Sequence, residues 1–308
     1  MYEHIIFEEL INKPLEIMLK NVLPKLMLCL FTLSLFFISC SDDDSSPNNP
    51  TISLSTTTID VVAGEENSVS VNYTTDVSGG AITITKYLDG TLSGTPETMA
   101  AGATGAFVYN FTVSVEDSDS GIVKFNFTVT DGDGVSAQVE LVVNIELTKR
   151  QLLLKYDWLL VDEVRVKTGE SDINPVYTDD VYRFNEDGTY QKSIGAMADD
   201  FSDLWYKHCK WDFDDDTGVL KLHRTGAFAD ETYDVMAITM IDDTSFEADI
   251  TYEGLDVFDP SYDPVEDYVK KMSSQAKGNS FDPYAPGPDD DVEGPSLTPC
   301  NESDFVNN

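Results

Sequence analysis

Residues 180–193, DVYRFNEDGTYQKS, decide the fold of this chain. Asp180 to Phe184 and Thr189 to Ser193 read as two alternating strands. Asn185-Glu186-Asp187-Gly188 between them is a turn whose Asp-Gly pair accepts positive φ, the strongest hairpin signal in the sequence. Outward from this hairpin the same rhythm continues. Trp158 to Val161 leads to Val164-Arg165-Val166 on one side. On the other, Tyr206 to Phe213 turns at Asp216-Thr217-Gly218 into Val219 to Leu222, and Tyr233 to Ile238 pairs with Ser245 to Ile250 around Asp242-Asp243-Thr244. Short strands joined by tight polar turns predict an antiparallel β-meander barrel over residues 151–257. Residues 258–308 are rich in Pro and Asp and read as a partly disordered acidic tail. One short helix is expected at Val265 to Met272, started by Pro264 and capped by Asp263.

Upstream, residues 51–147 also read as all-β. Val69, Val71 and Tyr73 share a strand face, as do Val123, Phe125, Phe127 and Val129, and again Val139, Leu141, Val143 and Ile145. Gly90 to Gly105 holds no strong element. Roughly seven strands over this length predict a Greek-key β-sandwich. Composition changes at Lys149-Arg150: two basic residues lie between Thr51 and Leu147, eleven between Lys149 and Gly254. That shift marks a domain boundary.

The first domain, with its TVTDGDG and VELVVNI segments, resembles the Ig-like and cadherin-like modules of bacterial surface proteins. The second resembles the lipocalin-like domains of Bacteroidetes lipoproteins. The residues carrying that likeness are Trp158, Phe184 with Asp187-Gly188-Thr189-Tyr190, Trp211, and Leu220 with Leu222. No Gly precedes Trp158, and the turn before the first strand shrinks to Gln151 to Tyr156. The fold class expected is therefore all-β, an Ig-like Greek-key sandwich followed by a lipocalin-like barrel. Such barrels hold a small ligand or fill their interior with their own side chains.

Near the N-terminus, Leu26 to Ile38 is an almost unbroken apolar run behind Lys20 and Lys25. Its length, about 13 residues, suits a signal peptide and falls short of the roughly 20 needed to span a bilayer. Phe37-Ile38-Ser39-Cys40 resembles a bacterial lipobox, and Ser41-Asp42-Asp43-Asp44 resembles the export signal of Bacteroidetes surface lipoproteins. The resemblance implies cleavage before Cys40 and acylation of its thiol. Residues 1–39 are then a signal peptide, for which Met18 makes the better start, and residues 40–50 a lipidated acidic tether. The expected location is the outer membrane, with a lipid anchor and surface exposure.

Removing residues 1–39 takes three basic and four acidic residues from totals of 19 and 56, leaving 16 − 52, or −36. This charge argues against nucleic acid and against docking on anionic headgroups. Of the cysteines left after acylation, Cys209 and Cys300 either pair or leave Cys209 a lone thiol. Pairing would close a loop of about 90 residues and add up to roughly 4 kcal/mol.

Catalytic signals are sparse. His208 and His223 sit in no HExxH or GxSxG setting, and acidic pairs are too frequent to mean anything, so no enzyme is expected. Calcium is the candidate cofactor. Asp117 and Asp119 in one turn and Asp131 and Asp133 in another could offer hard oxygen ligands, although Asp and Gly are also ordinary turn residues. Trp205, Tyr206, Tyr182 and Tyr190 are the candidate ligand contacts, because aromatic rings stack on sugars and other flat faces. The expected function is non-catalytic binding of an extracellular small molecule, glycan or protein. The alternatives are a structural or adhesive protein with a filled barrel, or an accessory or inhibitor subunit of an outer-membrane complex.

Overall fold

The computed structural model describes residues 49–75, 79–197, 206–226, 231–253, 265–278 and 281–284. Its architecture is all-β, as the sequence predicts. In the first domain β1 (Thr51–Leu54), β3 (Asn67–Thr74) and β6 (Thr104–Phe111) form one sheet in the order β1-β3-β6. The second sheet runs β2-β8-β7-β4-β5, from β2 (Thr58–Val62), β4 (Gly80–Leu88), β5 (Thr91–Ala101), β7 (Val123–Thr130) and β8 (Ser136–Glu146). All these pairings are antiparallel except β2 with β8. The alternation read from β7 holds: Val123, Phe125, Phe127 and Val129 are buried and pack with Val69, Val71 and Leu141. Tyr109 meets Phe127 edge-on at 5.3 Å between ring centres, a favourable aromatic geometry.

Two strands here, β1 and β5, escaped the sequence reading. β5 fills the stretch Gly90 to Gly105 that carries no apolar pattern, because it is an edge strand whose side chains are mostly exposed. It is joined to β4 by Asp89 (φ +46°) and Gly90 (φ +76°), the conformations a tight hairpin turn demands.

A short helix, α1 (Lys149–Lys155), follows. Thr148 caps it through a reciprocal box with Gln151, whose backbone N–H donates to Thr148 Oγ1 while Gln151 Oε1 accepts from the Thr148 N–H. Then come β9 (Tyr156–Arg165), β10 (Val181–Phe184), β11 (Tyr190–Ser193), β12 (Tyr206–Asp214), β13 (Val219–Gly226), β14 (Glu231–Ile241), β15 (Ser245–Glu253) and β16 (Val265–Ala276). They form one antiparallel sheet in the order β11-β10-β9-β16-β15-β14-β13-β12. Its two edges nearly meet, through a bridge between Thr189 and Lys210 and a Trp211 N–H donating to the Gly188 carbonyl at 2.8 Å.

β16 corrects the reading of the tail. Val265 to Met272 is strand rather than helix, and the barrel runs on to Ala276 instead of ending near residue 257. β16 lies between β15 and β9, paired to both along most of its length. Its inward positions include Tyr268, Lys270 and Met272. A lysine at an interior position breaks the apolar alternation by which a strand is recognised.

Removing β16 would open two rows of backbone hydrogen bonds at once. A chain ending before Val265 is expected to lose the barrel while keeping the sandwich. The check is loss of near-ultraviolet circular dichroism from Trp158 and Trp211, with protection from hydrogen exchange persisting in β7 and β8.

Candidate functional site

The barrel interior has two halves, and register separates them. Along β16, Met272 faces Leu160 and Phe246, Lys270 faces Glu163 and Ala248, Tyr268 faces Arg165 and Ile250, and Glu266 faces Tyr252. The Met272 end is apolar: Trp158, Phe184, Leu220 and Phe246 are fully buried there, and Leu153 of α1 packs into the same cluster. Trp158 stands 5.2 Å from Phe246 and Trp211 5.2 Å from Phe184, both edge-on. α1 closes this end. Lys149 Nζ donates to the Ile238 carbonyl at 3.0 Å, and Arg150 lies over the Trp211 ring while hydrogen-bonded to the Phe213 carbonyl.

The other half is polar. Lys270 Nζ pairs with Glu163 at 3.1 Å, and Lys192 with Asp180 at 2.7 Å. Arg224 pairs with Asp234 at 3.3 Å, and Arg165 with Asp172 at 2.7 Å and Glu266 at 3.3 Å. Tyr252 donates to Glu163 at 3.1 Å, and the Lys270 ammonium sits 5.5 Å from the centre of the Tyr252 ring. Burial would drive Lys270 toward neutrality. The Tyr252 hydroxyl and the Glu163 carboxylate outweigh it and hold the ammonium well above its ordinary range, so Lys270 stays charged. Burial pushes the Tyr252 and Tyr190 hydroxyls up, and both remain neutral phenols.

Two β-bulges sit where the halves meet. The β9–β16 register slips between Lys271 and Met272, leaving Val161 of β9 without an opposite residue. The β12–β13 register slips between His208 and Lys210, leaving Cys209 so. An extra residue reverses which side chains face inward. On β9 the inward set passes from Trp158 and Leu160 to Glu163 and Arg165. On β12 it passes from His208 to Trp211 and Phe213.

The candidate aromatics divide accordingly. Tyr190 is core, 2 % exposed, stacked near Phe184 and 5.4 Å from the His208 ring. Tyr182 is half-buried opposite Trp158 and Lys192. Tyr206 begins β12 opposite Gly226, at the polar end, and its side chain lies outside the described residues, as does Trp205. The structure thus brings Tyr182 and Tyr190 together and surrounds them with charged residues the sequence did not single out. Their signal was available only as charge at inward positions, and the bulges hide those positions.

The acidic turns have other partners. Asp117 Oδ2 accepts from Lys86 Nζ at 2.6 Å and from the Ser114 N–H at 2.8 Å. Asp119 pairs at 2.7 Å with Lys155 of α1, which also donates to Ser118 Oγ. Asp131 Oδ1 accepts from the backbone N–H of Asp133 and Val135, as turn aspartates do. Among the described residues no group of three or more His, Cys, Asp or Glu is arranged to hold a metal ion. Beside Asp119 that partner is a lysine ammonium carried by α1. Cys209 is buried on β12, whereas Cys300 and the acylation candidate Cys40 lie outside the described residues. No described helix is long and apolar enough to cross a membrane.

Comparison with known proteins returns no family model and no curated relative. Among solved structures, the chain is similar to the CARDB domain of a Pyrococcus furiosus protein, in complex with di-metal ions. That likeness has 16% identity and a TM-score of 0.19, and it covers 34% of this chain and 99% of that one. It is also similar to Spo0M, a sporulation control protein of Bacillus subtilis, at 9% identity and a TM-score of 0.21, over 74% of this chain and 90% of that one. Scores this low carry no argument about function.

His208 gives this half a pH signature. Burial, with the charges of Lys192 and Arg224 nearby, pushes its imidazole down to about 3. An unfolded imidazole takes up a proton near 6.5. The folded pKa is the lower one, so protonation favours the unfolded chain and stability falls as pH drops below about 6.5. Replacing His208 with Asn is expected to flatten the denaturant-derived stability between pH 6.5 and 5, an interval above the carboxylate titrations.

Proposed function

We propose that the chain is a surface lipoprotein, anchored in the bacterial outer membrane through acylated Cys40, whose barrel binds an extracellular ligand without transforming it. The observation that carries the binding reading is the uneven interior. One half is filled with aromatic and aliphatic side chains and sealed by α1, while the other gathers tyrosines and paired charges at the end where β9 leads to β10 and β11 to β12. Solvated surface would serve paired charges more cheaply, since burying ions costs several kcal/mol each before pairing compensates. The sandwich serves as a spacer between tether and barrel. In the oxidising setting outside the cell, Cys209 and Cys300 form the disulfide.

The filled apolar half favours a second reading, a structural or adhesive surface protein with no ligand inside the barrel. Two measurements bear on these readings. Labelled palmitate supplied to expressing bacteria is expected to enter the chain, and Cys40→Ala should abolish labelling and release the protein from the membrane fraction. A library of small molecules screened by thermal shift should contain a compound that raises the barrel's melting temperature. A ligand at about 100 times its Kd adds about 2.7 kcal/mol to stability. A library without a single hit would leave the structural reading standing.

A further inference from the structure

The three-stranded sheet β1-β3-β6 contains no charged residue, in a chain of which 24% is charged. Every strand of the facing sheet carries at least one: Asp60 in β2, Lys86 in β4, Glu97 in β5, Lys124 in β7 and Glu140 in β8. The outer face of the neutral sheet presents Ser68, Ser70 and Asn72 of β3 beside Ala106, Val108 and Asn110 of β6, all exposed. Val108, 59 % exposed, is the most exposed large apolar side chain among the described residues.

β6 is also an edge strand. Ser70 turns both of its backbone groups toward β1: its carbonyl accepts from the Ser55 N–H at 2.9 Å, and its N–H donates to Ser55 Oγ at 3.2 Å. In an antiparallel strand the N–H and C=O of one residue share a side, and successive residues alternate. Val69 and Val71 therefore point to β6, and their partners Tyr109 and Phe107 point back. The N–H and C=O of Ala106, Val108 and Asn110 are left aimed away from the sheet, where no described residue bonds to them. Sheets protect such edges with proline, charge, bulges or brevity. β5 has Pro96, Glu97 and a bulge against β4, β2 has Asp60, and β1 is four residues long. β6 has eight residues in unbroken register with β3 and none of these guards.

Charge selects the occupant. A net charge of −37 keeps copies of the chain apart wherever acidic surfaces meet. A basic partner would be drawn to those acidic surfaces. A neutral face is what a like-charged body requires, and the body most alike in charge is a second copy. Identical antiparallel strands also satisfy one another about a two-fold axis. We propose that β6 is the edge through which this protein self-associates. β6 of one molecule pairs antiparallel with β6 of a second, with Val108 opposite its own copy and Ala106 opposite Asn110 of the copy, and two neutral sheets become one. This inference is independent of what the barrel binds.

The test is sedimentation equilibrium of the full chain in density-matched detergent. A reversible monomer–dimer equilibrium is expected, tightening as salt screens the repulsion between two acidic molecules. Val108→Glu sets two carboxylates opposite each other on the axis and should weaken the dimer about 10-fold or more. Val108→Pro deletes an N–H that β3 does not use, so it should also weaken the dimer, with hydrogen-exchange protection in β7 and β8 reporting an intact sandwich. Leu92→Glu, which adds the same charge at an exposed position of β5, should leave the dimer unchanged. Four results would overturn the inference: a chain still monomeric at about 1 mM, the weak end of protein association; a dimer that loosens as salt rises; a dimer that both Val108 variants leave intact; or one that Leu92→Glu weakens as much as Val108→Glu does.

Discussion

The pairing of β16 with β9 and β15 is the constraint on which the barrel depends. Seven of the eight strands follow one another as hairpins or short crossings, and any of them could form a flat, open sheet. β16 joins the C-terminal end of the meander to its first strand, and so forces the sheet to curve until β11 and β12 approach each other. Once the sheet is curved, every alternate side chain points into a shared interior whose volume must be filled or compensated. Trp158, Phe184, Trp211 and Phe246 fill one half. The other half is compensated by charge, Lys270 against Glu163 and Arg224 against Asp234.

α1 ties this barrel to the sandwich. Its seven residues touch both domains: Leu153 enters the barrel core and Lys149 reaches the Ile238 carbonyl, while Gln151 Nε2 donates to the Ala63 carbonyl at 2.8 Å and Lys155 reaches Asp119. A helix this short is unstable alone. Here its capping box and the burial of Leu152 and Leu153 hold it, and residues 49–308 form one compact unit. Asp119, read in sequence as a turn carboxylate open to a cation, is part of that junction.

The distribution of charge also depends on the fold. A chain with 19 basic residues against 56 acidic ones would be expected to spend its lysines and arginines on the surface. Instead Lys192 and Lys270 are buried, 6 % and 7 % exposed, each beside a carboxylate and a tyrosine ring. Breaking either pair would strand a charge in a medium that solvates it poorly, so these contacts fix the inward arrangement of β11 and β16 as firmly as the aromatic cluster fixes the opposite end.

The sequence by itself determined the all-β class, the hairpin at Asp187-Gly188 and most of the strands, because these rest on local alternation and turn chemistry. The faces of β7 were legible for that reason. It could not show β5, an exposed edge strand, nor β16, where Lys270 occupies an interior position and mimics a surface one. Nor could it assign the inward residues past Val161 and Cys209, since a single extra residue reverses the alternation and only a partner strand reveals it. Tyr182 and Tyr190 were visible as aromatics. That they stand with His208 among paired charges was decided by closure of the barrel, which brings together strands that sequence distance keeps apart.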